Sequence, residues 1–209
     1  MRPLGIVLAG GRGERMRAGS PKALVVLGGR TLLDRAVATL ASLCAEVAVV
    51  APEAMDVGSA SAIRVFDVPG FEGPLAGLVA GLEWAGEEEA LVLGVDFPCV
   101  GGDLPRMLVV RLDASRNASP SFDAIVPRPD GIAQPLVAAY APTAAGALRI
   151  ALESGVRSLR SGLDRLHVDW LDDAVLAAIP GGTRCLLNVN TPDDLALATE
   201  RLAAAGDRT

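Results

Sequence analysis

The stretch from Leu4 to Lys22 reads LGIVLAGGRGERMRAGSPK, an apolar run that turns into a glycine-rich and basic segment. The run Leu4–Ala9 is typical of a strand that is buried on both faces of a parallel sheet. Glycines placed directly after such a strand let the backbone approach a ligand closely and turn its N–H groups inward. This order of features predicts an α/β fold whose first turn binds phosphate oxygens.

Basic residues are concentrated around this turn. Between residues 10 and 30 there are five basic side chains and one acidic side chain, whereas the whole chain has a net charge of −6. The chain contains eighteen arginines and a single lysine, Lys22. Because a lysine ammonium is a compact point charge that a guanidinium does not reproduce, we interpret Lys22 as a phosphate ligand. The glycine turn Gly10–Gly13, Arg15 and Lys22 are therefore predicted to neutralise a polyanion.

The rest of the chain alternates short apolar runs with segments of helical periodicity. This alternation predicts a three-layer α/β/α sandwich, Rossmann-like, with a mainly parallel central sheet. We expect one domain over residues 1–209, with 203–209 as a frayed tail. The predicted strands are Leu4–Ala9, Val47–Ala51, Ile63–Phe66, Ala90–Val95, Ala124–Val126 and Pro135–Tyr140. The predicted helices cover residues 32–43, 74–84, 105–112, 144–152, 173–178 and 192–202, and the first begins at a capping box formed by Thr31 and Asp34.

Composition excludes several classes of protein. A hydrophobic content of 51% with 21% charged residues excludes a disordered acidic tail. The negative net charge gives the surface no electrostatic reason to bind nucleic acid or an anionic membrane, and no apolar run reaches about 18 residues, so we expect a cytoplasmic protein. Cys44, Cys99 and Cys185 lack metal-ligand spacing and are interpreted as small buried apolar residues. His167 is the only histidine, which excludes a zinc site of several imidazoles.

The first turn does not fit either of the two common nucleotide-binding motifs. A dinucleotide fingerprint requires glycine where Met16 stands and an acidic residue at the end of the second strand, where Ala51 stands. A Walker A loop requires lysine directly after its last glycine, and the order Gly19-Ser20-Pro21-Lys22 does not provide it. The anion site must therefore be of another type.

The segment from Leu8 to Lys22 instead resembles the nucleotidyltransferase motif L-A-G-G-x-x-x-R-M followed by a lysine. Further segments of this kind follow in order: GPLAGL at 73–78, Asp96 after an apolar strand, QPL at 134–136 and NVNTPDDL at 188–195. Together they make the chain similar to the molybdenum cofactor guanylyltransferases, from residue 5 to about residue 202. The first segment specifies only the nucleotidyltransferase superfamily, and the segments at 73–78 and 188–195 are more specific.

The resemblance implies transfer of GMP from GTP to the terminal phosphate of molybdopterin, with Mg²⁺, to form molybdopterin guanine dinucleotide and pyrophosphate. Such a reaction brings two anions together, so the site must supply positive charge and alignment. Asp96 follows a central strand, where open α/β sheets bind ligands, and one carboxylate with substrate phosphates is a usual way to hold Mg²⁺. We therefore expect Lys22, Arg15 and Asp96 to be catalytic, with Asp96 as the metal ligand.

Further binding residues follow from the resemblance residue by residue. The implied nucleotide-binding residues are Leu8, Ala9, Gly10, Gly11, Gly13, Lys22, Asp67 and Asp96. The implied molybdopterin-binding residues are Asn188, Asn190 and Gln134. The expected partners are GTP and molybdopterin, with molybdoenzymes or cofactor-delivery proteins as protein partners.

Two departures from the family pattern keep alternatives open. Ala51 stands where the family commonly has an asparagine that contacts the nucleotide, and the ending Ser20-Pro21-Lys22 resembles sugar-phosphate and methylerythritol-phosphate nucleotidyltransferases. The alternatives are a molybdopterin cytidylyltransferase, an enzyme that uses a sugar or alcohol phosphate as acceptor, and a non-catalytic nucleotide-binding regulator.

Overall fold

The computed structural model describes residues 2–10, 21–53, 55, 57, 62–116, 119–204 and 206, in which strands alternate with helices. The strands are β1 (Leu4–Leu8), β2 (Val26–Leu27), β3 (Arg30–Thr31), β4 (Val47–Val50), β5 (Ile63–Val65), β6 (Ala90–Gly94), β7 (Ala124–Pro127), β8 (Val137–Tyr140) and β9 (Val168–Leu171). The helices are α1 (Leu32–Ala41), α2 (Pro74–Ala85), α3 (Asp103–Ser115), α4 (Thr143–Glu153), α5 (Leu159–Leu163), α6 (Asp173–Ala177) and α7 (Pro192–Ala204).

The described strands other than β2 and β3 form one sheet in the order β5-β4-β1-β6-β8-β7-β9. Strands β5, β4, β1 and β6 run parallel to one another, and β7 runs parallel to β9. Strand β8 is antiparallel to both β6 and β7. The carboxyl ends of β4, β1 and β6 therefore meet the amino end of β8 at one edge of the sheet.

Helices cover both faces of this sheet. Successive residues of a strand point to opposite faces, so Ile6 of β1 packs in the apolar layer that contains α2 and α4, and Val7 packs in the layer that contains α1 and α3. Both side chains are fully buried. The predicted three-layer α/β/α sandwich with a mainly parallel sheet is confirmed, and β8 is its antiparallel member.

The predicted elements are found with small shifts of their ends. Thr31 caps α1 as predicted, since its hydroxyl oxygen accepts a hydrogen bond from the Asp34 N–H at 2.9 Å. Helix α7 continues to Ala204, so Ala203 and Ala204 belong to a helix and not to a frayed tail. The sequence did not predict the β2–β3 hairpin, α5 or β9, each of which is two to five residues long.

The three cysteines form no disulfide bonds and lie in apolar surroundings. Cys44 is buried, as predicted, whereas Cys99 and Cys185 are half-buried. Burial raises the pKa of Cys44 to about 12 and that of Cys185 to about 11, so both thiols stay protonated near neutral pH. Within the described residues, no helix combines the length and the apolar character needed to cross a bilayer.

Two helical glycines differ in the space beside them. A Cβ added at Gly81 of α2 would lie 2.6 Å from Ile6 Cγ2, whereas a Cβ at Gly146 of α4 would meet no described atom within 4 Å. We expect Gly81→Ala to lower the free energy of unfolding by about 1–3 kcal/mol, because the core must move to admit the methyl group. Gly146→Ala should raise it by about 0.5–1 kcal/mol through helix propensity.

Urea unfolding of the two variants beside the wild type measures both effects. Gly146→Ala serves as the matched control, because it is the same substitution within a helix of the same protein. Equal shifts of the two unfolding midpoints would contradict the close packing of α2 on β1.

Candidate active site

The first turn and Asp96 leave two neighbouring strands at the same edge of the sheet. Leu8, at the end of β1, is paired with Gly94, at the end of β6, and the Val95 N–H donates to the Leu8 carbonyl oxygen at 3.3 Å. Leu8 and Ala9 are buried, whereas Gly10 is exposed. The start of the predicted phosphate turn and the strand that carries Asp96 are therefore in direct contact.

Three predicted site residues of this turn, Gly11, Gly13 and Arg15, lie outside the described residues. The structure describes the chain again from Pro21, where a short 3₁₀ turn spans Lys22–Leu24. Residues 8–10 and Lys22 therefore give the geometry of this part of the site.

Lys22 projects its ammonium group into the edge of the sheet beside Asp96. Its side chain is only 7% exposed, and Nζ lies 2.8 Å from Asp96 Oδ1. Nζ also donates a hydrogen bond of 2.8 Å to Asn190 Oδ1. A buried ammonium requires such partners, because burial of an unpaired charge is costly. The structure thus brings together the single lysine and the aspartate that the sequence predicted to be catalytic.

The loop before α7 completes this arrangement. Asn190 Nδ2 donates to Asn188 Oδ1 at 2.7 Å, and the Val189 N–H donates to the Asp96 carbonyl oxygen at 2.8 Å. The two asparagines that the resemblance assigned to molybdopterin therefore lie beside Lys22 and Asp96. We call Lys22, Asp96, Asn188 and Asn190 the lysine cluster.

Asp194 supports the lysine cluster and is not among the site residues predicted from the sequence. Its Oδ2 atom accepts hydrogen bonds from the N–H groups of Asn190, at 2.9 Å, and Thr191, at 2.8 Å. The Thr191 hydroxyl oxygen in turn accepts from the Asp194 N–H at 3.2 Å. The bonds from Asn190 and Thr191, and to a lesser extent the charge of Lys22, lower the pKa of Asp194. Thr191 and Asp194 have the Thr-x-x-Asp spacing of a capping box, and this spacing could have identified Asp194 from the sequence.

Asp67 lies at the same edge of the sheet as the lysine cluster, next to helix α2. It follows β5 and is half-buried, and burial raises the pKa of its carboxyl group. A Cβ added at Gly77, in the first turns of α2, would lie 3.0 Å from Asp67 Oδ1 and 3.6 Å from Leu8 Cδ2. The absent side chain at Gly77 therefore leaves room for the carboxylate of Asp67 beside the end of β1.

Gln134 stands just before β8, whose first residues pair with the end of β6. The Gly94 N–H donates to the Leu136 carbonyl oxygen at 2.7 Å, and Gln134 Nε2 donates to the Ile132 carbonyl oxygen at 3.4 Å. Gln134 is thus at the predicted edge. The hydrogen bonds of the described residues do not connect it, or Asp67, to the lysine cluster.

The donor atoms at this edge suit a metal ion that is shared with a substrate. Within the described ranges, no group of three or more His, Cys, Asp or Glu side chains could hold a metal ion. Asp96 is the one carboxylate of the lysine cluster, and its side chain is 28% exposed. A single carboxylate fits Mg²⁺, which keeps several waters and takes further ligands from substrate phosphates.

Ala51 lies next to this edge, directly after β4. It is 1% exposed, and its N–H donates to the Val65 carbonyl oxygen at 3.2 Å. Its side chain offers no polar atom to a nucleotide base. Ala51 therefore supplies no polar side-chain contact at this position.

Comparisons with known proteins agree with this architecture. Residues 5–168 match the family described as "MobA-like NTP transferase domain". A probable molybdenum cofactor guanylyltransferase of Chloroflexus aggregans is 35% identical, over 92% of this chain and 91% of that protein. A molybdenum cofactor guanylyltransferase of Bradyrhizobium sp. is 34% identical, over 98% of this chain and 94% of that protein.

Solved structures show the same fold. Molybdopterin-guanine dinucleotide biosynthesis protein A from Archaeoglobus fulgidus has a TM-score of 0.80 and 27% identity, covering 96% of this chain and 99% of that chain. The 2-C-methyl-D-erythritol 4-phosphate cytidylyltransferase from Thermus thermophilus has a TM-score of 0.67 at 22% identity, which is a likeness of fold alone, over 96% of this chain and 98% of that chain. The family match, the relatives above 30% identity and this fold lead to one conclusion: the chain belongs to the MobA-like NTP transferase family.

Proposed function

We propose that the protein transfers GMP from GTP to the terminal phosphate of molybdopterin and releases pyrophosphate. The observation that carries the proposal is the lysine cluster, in which a buried ammonium lies 2.8 Å from a carboxylate at the edge where the first turn leaves the sheet. The names of the relatives, which are molybdenum cofactor guanylyltransferases, supply the nucleotide and the acceptor.

The proposed reaction is an in-line displacement at the α-phosphorus of GTP. An oxygen of the molybdopterin phosphate forms a bond to this phosphorus, and the bond from the phosphorus to the bridging oxygen of the β-phosphate breaks. Pyrophosphate leaves with the electron pair of the broken bond. Because both reactants are anions, the protein's main task is to neutralise charge and to align the two phosphates.

Lys22 is suited to this task. Its ammonium is a point charge with three donors, so it can bind oxygens of the triphosphate and of the departing pyrophosphate. In the structure these donors face Asp96 and Asn190. With two donors held by these oxygens, the third would bind a phosphate oxygen of the substrate.

Asp96 would hold Mg²⁺ together with phosphate oxygens and waters. When bound, the ion supplies charge neutralisation at the α-phosphate and helps to align attacker and leaving group. The carboxylate of Asp96 meanwhile keeps the ammonium of Lys22 close to the reacting phosphates, since the two groups are in contact.

Asn188, Asn190 and Gln134 would face the acceptor. Asn188 is exposed and Asn190 is half-buried, so the side-chain amides of the lysine cluster are accessible to phosphate oxygens. A second candidate is use of CTP in place of GTP, because the buried, apolar Ala51 stands where the family commonly has an asparagine that contacts the nucleotide.

An assay of each nucleotide with molybdopterin tests the proposal. The purified protein is incubated with Mg²⁺, molybdopterin and one of GTP, CTP, ATP or UTP, and pyrophosphate release is followed, with EDTA as the control. We expect release with GTP that EDTA abolishes. Release with CTP and not GTP would overturn the guanine assignment. Tight binding of GTP without release in the presence of Mg²⁺ would indicate a nucleotide-binding regulator.

A further inference from the structure

Asp194 holds the backbone of the loop that contacts Lys22. A single oxygen atom, Oδ2, accepts the N–H groups of two successive residues, Asn190 and Thr191, at 2.9 and 2.8 Å. These bonds fix the peptide planes on both sides of the Asn190 Cα atom. The direction in which the Asn190 side chain leaves the backbone therefore depends on Asp194.

The Asn190 side chain connects this fixed backbone to the ammonium group of Lys22. Its amide nitrogen donates to Asn188 Oδ1 at 2.7 Å, so its oxygen must face the other way, toward Lys22 Nζ at 2.8 Å. Lys22 is 168 residues away along the chain, and its Nζ also contacts Asp96. A chain of short hydrogen bonds thus runs from Asp194 through Asn190 to the ammonium of Lys22.

We propose that Asp194 is a positioning residue that places the Lys22 ammonium beside Asp96 by holding Asn190. Its effect on catalysis depends on the proposed function, whereas its effect on the placement of Lys22 does not. The competing explanation is that Asp194 only caps α7. In that case its loss would lower the stability of the helix and leave Lys22 where it is.

Two substitutions separate these explanations. Asp194→Asn keeps an oxygen atom that can accept both N–H groups and removes the charge, while Asp194→Ala removes the acceptor. Asp34→Ala is the matched control, because Asp34 is the third residue after Thr31 in the capping box of α1, as Asp194 is after Thr191.

The single lysine of the chain provides a readout that requires no substrate. Each variant is treated with acetic anhydride, and mass spectrometry of the peptide that contains Lys22 gives the rate at which its amine is acetylated. We expect Asp194→Ala to raise this rate about tenfold, since a lost hydrogen-bond network lowers the protection of the amine by about that factor. Asp194→Asn and Asp34→Ala should stay within about twofold of the wild type.

Transfer of GMP is the second readout. Asp194→Ala should lower kcat about tenfold, whereas Asp194→Asn should keep most of the wild-type kcat. If the negative charge of Asp194 were what mattered, Asp194→Asn would lose as much kcat as Asp194→Ala.

An unchanged acetylation rate in Asp194→Ala would overturn the proposal even if the helix were less stable. Absence of transfer in the wild type would defeat the proposed function instead, and the acetylation rates would still decide the role of Asp194. Should Asp194→Ala not fold, Asp194→Ser replaces it, because its shorter side chain cannot accept both N–H groups.

Discussion

Asp96→Asn is expected to lower the rate of pyrophosphate release by a factor on the order of 10²–10³, because it removes the carboxylate that is proposed to hold Mg²⁺. The amide has the shape of the carboxylate, and its oxygen can still accept a hydrogen bond from Lys22. The position of the ammonium, 2.8 Å from Asp96 Oδ1 in the wild type, should therefore be kept. The loss should appear in kcat.

Nucleotide binding gives a second test of the same substitution. Without Mg²⁺, the negative charge of Asp96 repels a triphosphate, so the affinity of Asp96→Asn for GTP should equal or exceed that of the wild type. With Mg²⁺, the wild type should gain affinity and the variant should gain less. Calorimetric titration of GTP with and without Mg²⁺ measures both values.

Asp169→Asn provides the matched control. Asp169 is also paired with a cation, since its Oδ2 lies 2.6 Å from Arg111 Nε, and it lies on β9, three strands from β6. Its substitution should leave pyrophosphate release within about twofold of the wild type, as is usual for an ion pair away from the site. Full turnover in Asp96→Asn would show that this carboxylate does not hold a metal ion in the reaction.

The fold could be predicted from the sequence wherever an element was long and apolar. Strands β1, β4 and β6 are buried on both faces, so each left a continuous apolar run. Strand β9 has no continuous apolar run, because it includes Asp169, which is paired with Arg111. The β2–β3 hairpin did have a signal: Gly28 and Gly29 both have positive φ, of 56° and 79°, and a Gly-Gly pair between short strands is typical of a tight turn.

The sequence could predict which residues belong to the candidate site, but not which of them contact one another. Lys22 was found because it is the only lysine in an arginine-rich chain, and Asp96 because it follows a central strand. The hydrogen bond from Lys22 to Asn190 joins residues 168 positions apart, and no spacing rule reaches so far. Only the folded sheet brings the loop before α7 to the end of β6.

Lys22→Arg is expected to reduce kcat/KM by a factor of about 10–100, although it keeps the positive charge. The lysine side chain is 7% exposed, and its Nζ lies between two oxygens, Asp96 Oδ1 and Asn190 Oδ1, at 2.8 Å from each. A guanidinium is longer and planar, so it cannot place one nitrogen between both oxygens without displacing the loop before α7. Lys22→Met, which also removes the charge, should cost more.

Arg149→Lys is the control for an exchange of one cation for another. Arg149, on the partly exposed surface of α4, pairs with Glu153 of the same helix and with Glu83 of α2. Its replacement should leave kcat/KM within about twofold of the wild type. Steady-state pyrophosphate release gives all three values, and thermal unfolding verifies that each variant is folded. If Lys22→Arg worked as well as the wild type, charge alone would matter at this position. The buried, two-oxygen setting of the ammonium would then have no catalytic role.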